Sequence, residues 1–260
     1  MNIDLTRRAF LQTVAGVLIL PKISFAQAPP VCTFAIPVLL YHDISFRMGN
    51  DYNTVTPGLF AAQMEWLYAN GYKAISFADV GTESSLEKAI IITFDDGYAS
   101  FVQYAFPFLR AYGFKATINI IGQYVGSFLL DSDARPMLSW DEYRYLATSG
   151  LVSIGCHTDR LHISHNKGAA GVSNEVLLED LEGFQNILKQ EMGAPSEIIA
   201  WPYGFYNEQS ISVARKTGFH YSLTSKDGLY MKDMSSMEIP RINISEKDHL
   251  FTFQSRIGAY

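Results

Sequence analysis

Residues 89–97 have the sequence Ala-Ile-Ile-Ile-Thr-Phe-Asp-Asp-Gly, and this stretch decides the fold class. The apolar run from Ala89 to Phe94 is typical of a strand that is buried on both faces. Asp95 and Asp96 follow it directly, which places two carboxylates at the carboxyl end of an interior strand. Proteins of alternating strands and helices bind their ligands at that end. A polar turn with an aspartate N-cap has the same pattern, so a functional and a purely structural interpretation both remain open.

A second apolar strand, Leu151 to Cys156, ends in a segment that contains two histidines. His157 and His162 are separated by four residues. On a helix this spacing would place them on different faces, whereas in a loop after a strand they can converge. Two imidazoles and one carboxylate are a common ligand set for a catalytic divalent metal with one open position. Together with the two aspartates, the histidines predict a metal site at the strand ends.

These motifs resemble those of the polysaccharide deacetylases, the NodB-homology domain of carbohydrate esterase family 4. Thr93–Gly97 resembles the first family motif, His157 with His162 the second, and Pro202–Gly204 the third. The usual histidine motif of the family has three intervening residues, and this chain has four. The longer spacing, together with Tyr41–Asp43 after an early strand, resembles the branch that deacetylates poly-β-1,6-N-acetylglucosamine in biofilms.

The expected fold is α/β. Apolar strands alternate with helical segments along the chain, and this alternation predicts a parallel sheet. The predicted elements include a strand over Lys73–Phe77, a helix over Tyr98–Tyr112 with a kink at Pro107, helix starts at Thr56 and at the capping box Ser139–Glu142, and a final helix from Ser245. The family resemblance implies a distorted, incomplete (β/α)7 barrel with the active site at the carboxyl ends of the strands. Segments 43–56, 122–138 and 163–172 are predicted loops, long enough to shape a cleft.

The resemblance also implies roles for the site residues. Asp95 would be the general base, while Asp96, His157 and His162 would bind one divalent ion. Zinc is the default choice, with cobalt, nickel and iron as alternatives. The expected reaction is metal-dependent removal of N-acetyl groups from an N-acetylglucosamine polysaccharide, with poly-β-1,6-N-acetylglucosamine preferred over peptidoglycan, chitin or acetylated xylan. A non-catalytic carbohydrate-binding protein on the same scaffold is disfavoured, because none of these four side chains is lost.

Two positions depart from the family pattern. Ala200 stands where the third motif often has an arginine that orients the base, and the late segment Ile239–Asn243 lacks the histidine that often acts as general acid. His42 ends a strand and is the candidate acid, with substrate binding and a structural hydrogen bond as alternatives. Arg241 either replaces the missing arginine or pairs with a surface acid.

Aromatic residues near the third motif are candidate contacts for the sugar. Trp201 and Tyr203 are expected to contact substrate, and the backbone N–H of Tyr203 is expected to contribute to an oxyanion site. Trp140, Trp201 and Tyr203 are candidate stacking surfaces for the sugar, but Trp140 opens a helix, where packing into the core is the favoured interpretation. His165 shares a loop with His162 and is its one competitor as a metal ligand.

The N-terminus predicts export. Residues 1–28 have the pattern of a signal peptide, because Thr6–Leu11 resembles a twin-arginine motif and the apolar run Val14–Leu20 is too short to span a bilayer comfortably. The remaining residues, 29–260, form one deacetylase domain. The predicted location is the periplasm, the cell envelope or the exterior, and the predicted partner is an extracellular or envelope polysaccharide. A retained amphipathic anchor is the alternative.

Charge and cysteine content exclude other classes of protein. The net charge is −6 and no basic run is present, which argues against a nucleic-acid partner. No apolar run after the signal is long enough for a membrane helix. Two cysteines, Cys32 and Cys156, do not make a disulfide framework, and Cys156 is expected to be a small buried hydrophobe.

Overall fold

The computed structural model describes residues 34–46, 53–82, 86–129 and 135–258. The predicted signal peptide, 1–28, lies outside the described residues, as does Cys32. Across the described ranges, no helix combines the length and the apolar character needed to cross a membrane.

The chain alternates strands and helices in the predicted way. In chain order the strands are β1 (Ala35–Tyr41), β2 (Asp43–Ile44), β3 (Thr54–Val55), β4 (Lys73–Ala74), β5 (Ala89–Asp96), β6 (Ala116–Ile120), β7 (Phe128–Leu129), β8 (Arg135–Pro136), β9 (Val152–Cys156), β10 (Ile198–Ala200), β11 (Tyr221–Leu223), β12 (Leu229–Met231) and β13 (Ile242–Asn243). The α-helices are α1 (Pro57–Ala69), α2 (Phe106–Tyr112), α3 (Trp140–Thr148), α4 (Asn174–Met192), α5 (Glu208–Lys216) and α6 (Leu250–Arg256).

Six parallel strands form the body of the main sheet, in the order β11-β10-β9-β6-β5-β1. The segment after β12 supplies a seventh position, because Ile239 bridges Leu223 of β11 in parallel and Ile242 pairs with Leu39 of β1. Pro240 has no N–H to donate, and the strand is interrupted there. The prediction of a distorted, incomplete seven-stranded barrel is confirmed.

The core follows the apolar patterns of the sequence. All eight residues of β5 are buried, as expected for an interior strand of a parallel sheet. Helix α4 buries a stripe at helical spacing, Leu177, Leu181, Phe184 and Leu188, and Ser173 caps its first turn. The side chains of Ser139 and Glu142 form the predicted capping box of α3.

Three element boundaries differ from prediction. The strand expected over 73–77 ends at Ala74, because the carboxylate of Asp79 accepts the N–H of Ser76 at 2.7 Å and begins a 3-10 turn. The helix expected over 98–112 begins as a π-helical turn, Phe101–Ala105, and becomes α-helical just before Pro107. The last helix begins at Leu250 rather than near Ser245.

Short strands occur where loops were predicted. β2 pairs with β3 within segment 43–56, and β7 pairs with β8 within segment 122–138. The second pair places Leu129 and Arg135 against the cleft at the carboxyl ends of the barrel strands. These two-residue strands have no periodicity that sequence reasoning could detect.

Candidate active site

A pocket opens at the carboxyl ends of β1, β5, β9 and β10. Its lining includes all seven of the predicted site residues: His42, Asp95, Asp96, His157, His162, Trp201 and Tyr203. The parallel sheet brings these residues together from four segments of the sequence, since every strand end faces the same side.

Asp96, His157 and His162 form one cluster. The Nε2 atoms of His157 and His162 lie 3.5 Å and 3.4 Å from Oδ1 of Asp96. One potential ligand atom from each residue lies within 4.8 Å of the others. Ligand atoms bound at about 2.0–2.1 Å to a tetrahedral ion are about 3.3–3.4 Å apart, so this donor set fits one divalent ion.

Hydrogen bonding fixes the tautomer of His157. Its Nδ1–H donates to the carbonyl of Ala200 at 2.8 Å, which leaves the lone pair of Nε2 directed at the cluster. Burial lowers the pKa of His157 to about 4, because it outweighs the two neighbouring carboxylates. The imidazole is therefore neutral at neutral pH, as a metal ligand must be.

Asp95 is buried beside this cluster and is ion-paired. Both Nη atoms of Arg241 donate to its carboxylate, Nη1 to Oδ1 at 2.8 Å and Nη2 to Oδ2 at 2.7 Å. Arg241 also donates from Nε to the carbonyl of Thr224. Burial raises the pKa of Asp95, but the charge of Arg241 and the other cationic neighbours outweigh it and hold the pKa at about 2. Asp95 is therefore ionised throughout the physiological range.

Asn119 of β6 provides a third contact to the carboxylate of Asp95. Its Nδ2 donates to Oδ1 of Asp95 at 2.7 Å. The register pairs Asp95 with Asn119 and Asn119 with Gly155 of β9. A Cβ at Gly155 would overlap Oδ1 of Asn119, so the glycine provides the space in which the amide lies.

Three residues of the site have left-handed backbone. The φ angles are 72° at Asp96, 68° at Thr158 and 56° at Tyr203. Such conformations cost about 1–3 kcal/mol for non-glycine residues, and the β-branched Thr158 is an outlier. The surrounding contacts must compensate this strain, which is typical of functional sites.

The aromatic residues of the third motif differ in exposure. Tyr203 is 51% exposed, and its ring lies 4.7 Å from that of His162 between centroids. Trp201 is only 1% exposed, and its Nε1 donates to Ser222 at 2.6 Å. The expectation that Trp201 offers a stacking face is wrong, because its ring is packed inside the protein. Contact of its edge with substrate, and the roles predicted for Tyr203, stay predictions.

The other side chains that the sequence singles out lie partly in the pocket and partly outside it. Arg241 pairs with Asp95, so of its two predicted roles the replacement of the missing arginine is the one the contacts favour. His165 is exposed and lies outside the three-residue cluster. His42 lines the pocket, and its Nδ1 has no hydrogen-bond partner among the described residues. Its role stays a prediction. Trp140 is half-buried and packs against the core, and Cys156 is buried, as expected.

Sequence reasoning missed polar residues beside Asp95 and along the pocket. Asn119 and Arg135 carry no motif of their own, and each reaches the pocket or its edge only through sheet register or a two-residue strand. The alternation of polar Thr117 and Asn119 with apolar neighbours in β6 was the one available signal.

Comparison with known proteins agrees with the geometry. A family model described as polysaccharide deacetylase matches residues 82–222. YxkH of Bacillus subtilis strain 168, whose name assigns it to the polysaccharide deacetylases, is 31% identical over 215 residues, which are 81% of this chain and 71% of that protein. The poly-β-1,6-N-acetyl-D-glucosamine N-deacetylase of Escherichia coli strain K12 is 27% identical over 233 residues, which are 75% of this chain and 34% of that protein. The chain thus spans about a third of the length of this second relative.

Among solved structures, the Streptococcus pyogenes deacetylase PplD, in complex with acetate, has the same fold. The two superpose with a TM-score of 0.75 at 24% identity, covering 86% of this chain and 98% of that one. The matched family region contains the strand ends that carry Asp95, Asp96, His157 and His162. The chain belongs to the polysaccharide deacetylase family and is a hydrolytic polysaccharide deacetylase.

Proposed function

We propose that this protein is a metal-dependent hydrolase that removes N-acetyl groups from poly-β-1,6-N-acetylglucosamine. The observation that carries the proposal is the convergence of the two Nε2 atoms on Asp96 beside the buried, ion-paired Asp95. The name of the Escherichia coli relative supports the substrate. Peptidoglycan, chitin and acetylated xylan are the alternatives that the experiment below distinguishes.

In this proposal Asp96, His157 and His162 bind one divalent ion, zinc by default, with cobalt, nickel or iron as alternatives. When bound, such an ion supplies Lewis-acid polarisation of the acetyl carbonyl and makes water more acidic. The protein contributes the imidazoles of His157 and His162, the ionised Asp96 and the orientation of His157 by the carbonyl of Ala200. The pKa of Asp96 is lowered: burial raises it, but the hydrogen bond from His162 and the charges nearby lower it more.

Asp95 is proposed as the general base that removes a proton from the attacking water. Arg241 and Asn119 orient both of its oxygens and keep it ionised. The same ion pair makes Asp95 a weaker base than a carboxylate with an ordinary pKa. Its catalytic contribution therefore depends on position more than on proton affinity.

His42 is proposed to protonate the departing amine, since the late segment 239–243 has no histidine. It ends β1 and lines the same pocket as Asp95. Tyr203 is proposed to contact the sugar at the exposed rim, with its backbone N–H directed to the oxyanion. We also propose residues 1–28 as a twin-arginine-type signal and 29–260 as the catalytic domain, which would place the enzyme in the periplasm, in the envelope or outside the cell.

The linkage preference is tested with N-acetylglucosamine oligomers of equal length. A β-1,6 linkage runs through an exocyclic carbon, so its polymer is more flexible, and ordering it costs entropy. We expect weak binding and modest turnover, with kcat/KM on β-1,6 oligomers about tenfold or more above that on β-1,4 oligomers. Released acetate is measured for both series. Equal or greater activity on chitin oligomers, peptidoglycan fragments or acetylated xylan would contradict the proposed substrate without affecting the fold or the metal site.

The pH dependence tests the pairing of Asp95 with Arg241. In the natural protein the pKa of Asp95 is about 2, so this group should not limit kcat/KM above about pH 4. Arg241→Gln removes the opposing charge while burial remains, so the pKa of Asp95 should rise and the acid limb of kcat/KM should move to higher pH. Profiles are recorded from pH 4 to 9 for both proteins at saturating zinc.

The matched control for this experiment is Lys226→Gln. Lys226 is an exposed cation, and its side chain pairs with Glu238 rather than with Asp95. Its profile should coincide with that of the natural protein. An acid limb that does not move in Arg241→Gln would show that the ion pair does not set the ionisation of the base.

A further inference from the structure

The backbone between the two metal-site histidines, residues 158–161, is bound by a carboxylate from a distant helix. We name this segment the histidine loop. Asp180 of α4 accepts the N–H of Asp159 at Oδ2, at 2.9 Å, and the N–H of Arg160 at Oδ1, at 2.8 Å. These are the two central residues of the loop, so both carboxylate oxygens of one side chain bind its middle.

The opposite side of the histidine loop contacts the end of β6. The N–H of Gly122 donates to the carbonyl of Thr158, and the N–H of Gln123 donates to the carbonyl of Asp159, both at 3.1 Å. A Cβ at Gly122 would overlap the carboxylate of Asp159, so the two backbones are in close contact. The loop is thereby fixed between β6 and α4, neither of which carries a candidate metal ligand.

The histidine loop needs external contacts. Thr158 has left-handed backbone, which is costly for a β-branched residue. Ordering each of the four residues of the loop also costs about 1–2 kcal/mol. Hydrogen bonds to an ionised carboxylate are roughly twice as strong as neutral ones, so Asp180 can offset part of this cost.

We propose that Asp180 is a positioning residue for the metal site. Its carboxylate fixes the histidine loop so that the Nε2 atoms of His157 and His162 converge on Asp96. This inference rests on the proposed metal-dependent function, and it assigns a cause to the geometry of that site. Helix α4 does not depend on Asp180 for its own place, because Leu177 and Leu181 of the same helix are buried in the core.

The test measures zinc affinity of the metal-free protein by competition with a chelator. Asp180→Asn retains the size of the side chain, but its amide NH2 faces one of the two backbone donors and cannot accept from it. We expect zinc affinity to fall about 10–100-fold, the usual effect of losing a group that orients a ligand. The visible spectrum of the cobalt-substituted protein should change, because the ligand geometry changes. Asp180→Glu restores a carboxylate and should recover part of the affinity.

Glu182→Gln is the matched control, since Glu182 is an exposed carboxylate on the same helix. It should bind zinc as the natural protein does. Affinity of Asp180→Asn within twofold of the natural protein would overturn the positioning role and leave the proposed function intact. Failure of the natural protein itself to bind stoichiometric zinc would overturn both.

If the variants do not fold, the positioning role of Asp180 can be tested on the natural protein. Amide hydrogen exchange of Asp159 and Arg160 should be slow in the metal-free protein, because Asp180 rather than the ion provides their acceptor. Fast exchange that becomes slow only after zinc is added would overturn the proposal.

Discussion

Alanine at Asp96, His157 or His162 will yield a folded protein with far less than one equivalent of metal and no measurable deacetylation. Each variant removes one of the three proposed protein donors, and the remaining two are not expected to retain the ion against dialysis. We expect metal content and turnover to fall together, by more than about 10³-fold in turnover, because the Lewis acid is lost with its ligand. Metal analysis by mass spectrometry and released acetate give the two values for each variant.

Two other histidines are the controls for this result. His165→Ala should retain both metal and turnover, since His165 is exposed and outside the cluster. His42→Ala should retain the metal yet lose activity, because it lines the pocket without joining the ligand set. Stoichiometric metal and near-normal turnover in the three ligand variants would refute the ligand assignment. Full activity in His42→Ala would refute its role as acid or substrate contact.

Asp95→Asn will bind metal normally and lose about 10²–10⁴ in kcat, the usual contribution of a general base. The structure predicts a second effect of this substitution, a loss of stability. Asparagine leaves the guanidinium of Arg241 buried without its counter-ion, and breaking such a pair costs about 3–5 kcal/mol of stability. Turnover must therefore be measured well below the unfolding temperature, with metal content and thermal unfolding determined on the same sample.

The double variant Asp95→Asn with Arg241→Gln separates these effects. It removes the unpaired charge, so stability should recover relative to Asp95→Asn, while turnover should stay low because the base is still absent. Loss of metal in Asp95→Asn with no separate rate defect would instead make Asp95 the ligand and Asp96 the base.

Much of the candidate site was predictable because its side chains follow directly after apolar runs. Asp95, Asp96 and His157 each follow a buried run in the sequence, and parallel strands place such positions on one side of the barrel. Helix starts at Thr56 and Ser139 were predictable for a similar reason, since capping is a local interaction of three or four residues.

The residues that contact Asp95 could not be predicted in the same way. Arg241 contacts Asp95 across 146 positions of sequence, and its partner depends on how the last strand closes the barrel. Asn119 faces Asp95 through the register of two strands and the absence of a side chain at Gly155. The exposure of the aromatic side chains could also be determined only from the structure. Trp201 and Tyr203 are two residues apart, yet Trp201 is buried and Tyr203 lies at the surface.

Arg241, which directly follows the break in the barrel at Pro240, is synthesised later than the other residues of the candidate site. The strands that carry Asp95, Asp96 and His157 leave the ribosome first, and the arginine that pairs with Asp95 follows only after nearly all of the remaining chain. Until then the carboxylate has no bidentate partner, and the barrel has an open edge between β11 and β1. A fragment that ends at residue 222, where the match to the family model ends, contains all three candidate metal ligands but lacks Arg241. The contacts of the candidate site therefore extend beyond the segment that the family model matches.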